Sequence, residues 1–263
     1  MSPFLLPMIG IALVWLVMIV LNETIGLFRC DHFSGPGLKY AAYVWLGLFL
    51  FLLTFLVTAS AQREPSPKEI ASTPFYSLFG LHAILVVFLV GWWLLSGLPS
   101  IGTFLNLRRE KLGEATLAGF AIGVGGWMIT IAVAIVVALL LSAAGLIPKN
   151  MKPSPMIGFL AAMPIWKKIL IVLSAMTVEE AFFRGWLQKR IGLIASTLLF
   201  ASAHVTLGQP LLLIGVFVVS LIIGTTFYRT RNLLPGVIAH GVFDAIQLFV
   251  IIPIAFRFAD LGV

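Results

Sequence analysis

"ATLAGFAIGVGGWMITIAVAIVVALLLSAAGLIP", residues 115–148, holds no charged side chain in 34 positions. About 20 apolar residues in an α-helix cross the ~30 Å hydrocarbon core of a bilayer, so this stretch reads as a transmembrane helix with length to spare. The same test picks out residues 1–22, 40–62, 70–107, 191–228 and, apart from Asp244, 233–256. Composition agrees that the solvent is a bilayer: 60% of residues are hydrophobic and 10% charged, where soluble domains carry roughly 25% charged residues. Mean hydropathy is +1.10.

The first window lacks a basic leader and a small-residue cleavage site, so it reads as a retained span rather than a signal peptide. Charges, prolines and glycines divide the chain into about eight helices, near residues 3–22, 40–61, 75–96, 116–144, 164–188, 191–207, 211–229 and 233–256. The break at "GQP" (208–210) rests on punctuation alone, and residues 97–107 read either as an interfacial turn or as the tail of the third span. The fold class expected is therefore all-α, a polytopic membrane protein folded as one bundle. A proline-rich link near residues 145–155 separates scaffold spans (1–150) from a core (151–263) whose spans contain ionisable residues. Gly119 and Gly123 stand at the GxxxG spacing that lets helices approach closely.

The net charge of +7 would point to nucleic acid in a soluble domain. Here the basic residues gather at span ends, as in "LNLRREK" (105–111), "PIWKK" (164–168) and "YRTR" (228–231), which fits anionic lipid headgroups as partners and no nucleic acid. The single cysteine, Cys30, excludes an intramolecular disulfide and any CxxC metal knot.

Six ionisable residues fall inside the later spans: Glu179, Glu180, Arg184, His204, His240 and Asp244. Each isolated charge at that depth costs on the order of 3 kcal/mol on insertion scales, so the group needs a shared reason. Residues four apart share a helix face, and neighbours diverge by about 100°. Glu180 and Arg184 thus stack as a buried ion-pair brace, while Glu179 points elsewhere and needs a basic partner. The same spacing pairs Phe200 with His204 and His240 with Asp244 on two further helices.

A carboxylate and two imidazoles can deprotonate a water, protonate a leaving amine and donate to a developing oxyanion, the functions peptide hydrolysis requires. The sequence contains no HExxH, no second well-placed intramembrane aspartate for a dyad and no GxSxG elbow. A proton relay in a transporter would draw on the same residue types.

"EEAFFR" (179–184), "FASAH" (200–204) and "HGVFD" (240–244) resemble, in order and on separate helices, the EExxxR, FxxxH and HxxxN/D motifs of the CAAX protease and bacteriocin-processing (CPBP) family of intramembrane endopeptidases. The resemblance covers residues 165–250 and implies an eight-helix bundle enclosing a polar, water-containing cavity. It implies Glu179 as the general base assisted by His204, with His240 and Asp244 at the oxyanion. Glu180, Arg184 and Phe200 become supporting residues. Family members that cleave CAAX proteins often carry Asn where this chain has Asp244. An ionised Asp cannot donate to an oxyanion, so Asp244 is protonated, orients His240, or ligates a metal.

The last option keeps a zinc enzyme open, with Glu179, His204, His240 and Asp244 as ligands; the favoured expectation is a protease with no cofactor. Its substrate would be a protein or peptide delivered from the membrane, and its location a prokaryotic cytoplasmic membrane. The alternative is a catalytically inactive scaffold or immunity protein.

Overall fold

A computed structural model describes residues 2–26, 31, 33–62, 66–146, 155–205 and 210–260. Cys30, most of the proline-rich link and residues 208–209 of the "GQP" break lie outside the described residues. Every regular element among the described residues is helical. In chain order these are α1 (Leu5–Ile25), α2 (Pro36–Ser60), α3 (Pro67–Ala71), a 3-10 turn (Phe75–Phe79), α4 (Gly80–Leu95), α5 (Ile101–Leu105), α6 (Leu112–Ala143), α7 (Pro155–Ala162) and α8 (Ile165–Ser174). Two π-helical segments, Ala175–Glu179 and Ala181–Gln188, then lead into α9 (Lys189–Ala203), α10 (Pro210–Thr230), α11 (Leu233–Ile246), a π turn (Gln247–Ile251) and α12 (Ile252–Asp260).

Six helical stretches are long and apolar enough to cross a bilayer, and a seventh is added if the bent pair Pro155–Ala162 and Ile165–Ala203 counts as one span. The expectation of about eight helices differs mainly between residues 164 and 207. Two helices meet there at a kink at Gly192, whose φ of 83° and ψ of 175° break the helix direction. On a straight helix Phe183 and Phe200 would sit about 25 Å apart, yet their ring centroids are 4.9 Å apart. The two expected helices are thus the legs of a hairpin hinged at Gly192. Residues 97–107 resolve as a turn plus α5, capped by the Ser100 hydroxyl, which accepts from Thr103 N.

Two close approaches place α11, the helix that carries His240 and Asp244. Cβ atoms added at Gly119 and Gly123 would lie 2.8 Å from the carbonyl oxygens of Pro235 and Ala239, so the GxxxG face of α6 seats α11 backbone to backbone. The N-terminus of α11 is pinned by Asn232, whose Oδ1 accepts from Leu234 N at 3.2 Å and from Arg108 N at 3.1 Å. The front spans join the back ones through an aromatic cluster. Phe49, Phe88, Trp92, Phe182 and Trp186 are buried against one another with ring centroids 4.0–5.9 Å apart. Such pairs contribute about 0.5–1.5 kcal/mol each beyond area burial, which matters where lipid tails remove the hydrophobic drive between helices. The outer faces are apolar and exposed, as at Leu117, Leu139 and Leu140 of α6, which suits hydrocarbon rather than water.

Lys168, expected at the interface, is instead buried, and Arg190 is buried too. Lys168 folds inward, its Nζ donating to Ala161 O at 2.9 Å and to Leu248 O at 3.4 Å. Arg190 lies over the Trp186 ring at 4.5 Å and pairs with Asp31 through Nε at 3.0 Å. Asp31 also accepts from Trp92 Nε1 at 3.0 Å. Carbonyls and a carboxylate compensate these cations, so charge at a span end did not require headgroup contact.

Candidate active site

Glu179 and Glu180 end up on different sides of the same segment, as helix spacing requires. The geometry is π rather than α, with i→i+5 hydrogen bonding over two runs around Glu180. π turns are rare, occur mostly as single-turn bulges and concentrate at functional sites. Glu180, fully buried, turns toward α10 and α11. Its Oε1 lies 3.0 Å from Arg184 Nη1 and accepts from His240 Nδ1 at 2.9 Å. Arg184 Nη2 donates to Ser220 O and Oγ at 3.1 and 3.0 Å, and the guanidinium covers the Phe200 ring at 4.6 Å. A glycine on α11 makes this possible: a Cβ at Gly236 would sit 3.3 Å from Glu180 Oε2. The brace expected of Glu180 and Arg184 therefore also holds the His240 ring.

Glu179 faces the other way. His204 Nε2 stands 4.0 Å from Glu179 Oε2, an oxygen that is buried and without a hydrogen-bond partner. The orientation of His204 follows from helix ends. Residue 204 caps α9, where the last carbonyls have no intrahelical donor, and His204 Nδ1 meets Phe200 O at 2.9 Å. A carbonyl only accepts, so Nδ1 carries a proton, and in the neutral ring Nε2 then presents its lone pair toward Glu179. Phe200 stacks on His204 at 4.8 Å and meets His240 edge-on at 5.9 Å, so it spaces the two rings. His240 Nε2 lies 3.4 Å from Asp244 Oδ2, the pair one turn apart on α11.

The four expected catalytic residues thus form two pairs, Glu179 with His204 and His240 with Asp244, joined through Phe200. Side chains of Glu179, His204 and Asp244 are 14%, 28% and 26% exposed, so none of the three is sealed inside the bundle. Among the described residues no three His, Cys, Asp or Glu side chains converge as a metal site. Both ring nitrogens of His240 already face carboxylates, and His204 Nδ1 is committed to a carbonyl.

One residue close to the centre was missed. His82, on α4, approaches Glu179 Oε1 at 3.0 Å through Nε2, and its Nδ1 lies 2.7 Å from Ser174 Oγ. Its signal was present, a histidine inside an otherwise polar-poor span, but it has no motif and lies 97 residues from its partner.

Residues 161–246, a third of the chain, match the family model described as type II CAAX prenyl endopeptidase Rce1-like. Through this segment the chain is similar to the Rce1-like family. The matched residues include Glu179, Glu180, Arg184, Phe200, His204, His240 and Asp244, and exclude α4 with His82. The chain is also similar to the uncharacterized protein YpbD of Bacillus subtilis strain 168, 38% identical over 79 residues, or 30% of this chain and 42% of that protein. It spans less than half the length of that relative. No solved structure matches. With its long apolar helices, the chain is an integral membrane protein.

Proposed function

We propose that this Rce1-like chain is an intramembrane endopeptidase that hydrolyses a peptide bond in a protein or peptide delivered from the membrane, in a prokaryotic cytoplasmic membrane. One observation carries the proposal: Glu179 Oε2 and His204 Nε2, an acceptor in the neutral ring, face each other across 4.0 Å. Two hydrogen bonds of about 2.8 Å spanning that gap meet at roughly 90°, near the angle between the protons of a water molecule. A water held there has both protons engaged and a lone pair left for a carbonyl carbon. Glu179 takes the proton as the carbon–oxygen bond forms, and the same proton, passed through Glu179 or His204, protonates the leaving nitrogen.

His240 faces the developing negative charge on the carbonyl oxygen. With Nδ1–H donating to Glu180, the ring that also carries a proton on Nε2 is an imidazolium, which can donate to that oxygen while Asp244 steadies the ring. The mechanism assigned here uses no metal. Cleavage is expected to survive exhaustive chelation; loss that added zinc restores would overturn that part.

The test compares membrane and secreted proteomes of cells carrying the wild-type chain and Glu179→Gln. Proteins cut only by the wild type, with the variant present in membranes at equal level, support the proposal. Identical proteomes with a retained cellular phenotype would leave a scaffold, and lost ion-coupled flux without any cut protein would leave a transporter.

A further inference from the structure

We infer that His82, outside the family segment, is a positioning residue that aims the Glu179 carboxylate; the inference rests on the role proposed for Glu179. A carboxylate has two oxygens and rotates freely unless one is tied down. His82 Nε2 lies 3.0 Å from Oε1, and a carboxylate only accepts, so Nε2 carries the ring proton and donates it. In the neutral ring Nδ1 is then an acceptor, and the Ser174 hydroxyl, 2.7 Å away, donates to it. Ser174 ends α8, one helical turn before Glu179, so the donor that orients the ring and the carboxylate that the ring orients belong to one rigid segment.

With the ring neutral, every hydrogen bond in the Ser174, His82, Glu179 chain runs in one direction and admits one tautomer. The consequence falls on the other oxygen: with Oε1 held by His82, Oε2 is the one turned toward His204 Nε2 at 4.0 Å. The His82 side chain is as enclosed as that of Glu179, each 14% exposed. The first half of the chain therefore contributes a residue to the site, through a span that the family match does not include.

The experiment measures cleavage of a Glu179-dependent substrate by purified full-length protein in liposomes, for wild type, Glu179→Gln, His82→Leu, His82→Gln and Ser174→Ala. His82→Leu should lower kcat about 10- to 100-fold with KM within about 3-fold, the size expected when a catalytic group loses its aim. His82→Gln should recover most of kcat, because its amide donates at the reach of Nε2 and its carbonyl accepts from Ser174. Ser174→Ala should fall between, and it carries the test if His82→Leu does not accumulate. Wild-type kcat in His82→Leu overturns the inference while an inactive Glu179→Gln leaves the protease in place. Equal loss in His82→Leu and His82→Gln also overturns it, since a donor alone would then not suffice. Absence of any Glu179-dependent cleavage removes the proposed function and the inference together.

Discussion

Replacing Arg184 by methionine tests the brace beneath the site, because methionine keeps much of the volume and removes all of the charge. The guanidinium would take with it an ion pair at 3.0 Å to Glu180, two hydrogen bonds to Ser220 and a ring contact at 4.6 Å to Phe200. Glu180 is fully buried and would be left with His240 as its remaining partner. Breaking a buried pair from one side costs about 3–5 kcal/mol, chiefly because the other charge stays behind. Each 1.4 kcal/mol is tenfold in an equilibrium constant, so the folded-to-unfolded ratio should drop by roughly two to three and a half decades. Reversible unfolding by dodecyl sulfate titration in mixed micelles reads this directly.

Glu180→Gln in the same background should recover part of the loss, because Gln still accepts from His240 without stranding a charge; the pair should therefore couple by at least about 0.5 kcal/mol. A cost under about 1 kcal/mol for Arg184→Met, or strict additivity in the double variant, would refute the brace.

Two further outcomes follow from packing and from chemistry. Gly123→Ala should destabilise by about 1–3 kcal/mol, the usual cost of overpacking, because its Cβ would meet Ala239 O at 2.8 Å; Gly125→Ala, with nothing within 4 Å, should be near neutral in the same titration. Asp244→Asn should keep cleavage within about tenfold, since an amide can steady His240 and donate, whereas Asp244→Ala should lose about 10²-fold, the scale of one oxyanion-site group; equal activity of Asn and Ala variants would remove Asp244 from the site.

Much of the architecture was legible because a bilayer imposes simple rules. Charge-free runs marked α1, α2, α4, α6, α10 and α11, and the i, i+4 spacing placed Glu180 on Arg184 and His240 on Asp244. Helix spacing also separated Glu179 from Glu180. The GxxxG face of α6 was visible, but its partner was not, since small residues say that something approaches without naming it. The π geometry of Ala175–Glu179 and Ala181–Gln188 leaves no trace in an apolar period. Lys168 was misplaced because a cation at a span end carries the same pattern whether it reaches headgroups or turns in toward carbonyls. His82 escaped because it belongs to no motif, and its contact with Glu179 exists only once α4 has packed against the π segment.

The central claim is that Glu179 activates a water held opposite His204. Cleavage in water enriched in ¹⁸O, with a substrate identified by the proteome comparison and purified protein in liposomes, measures it most directly by mass spectrometry of the new C-terminus. The account predicts one ¹⁸O in the carboxylate released by the wild type and no product from Glu179→Gln. A labelled product formed equally well by Glu179→Gln would contradict it.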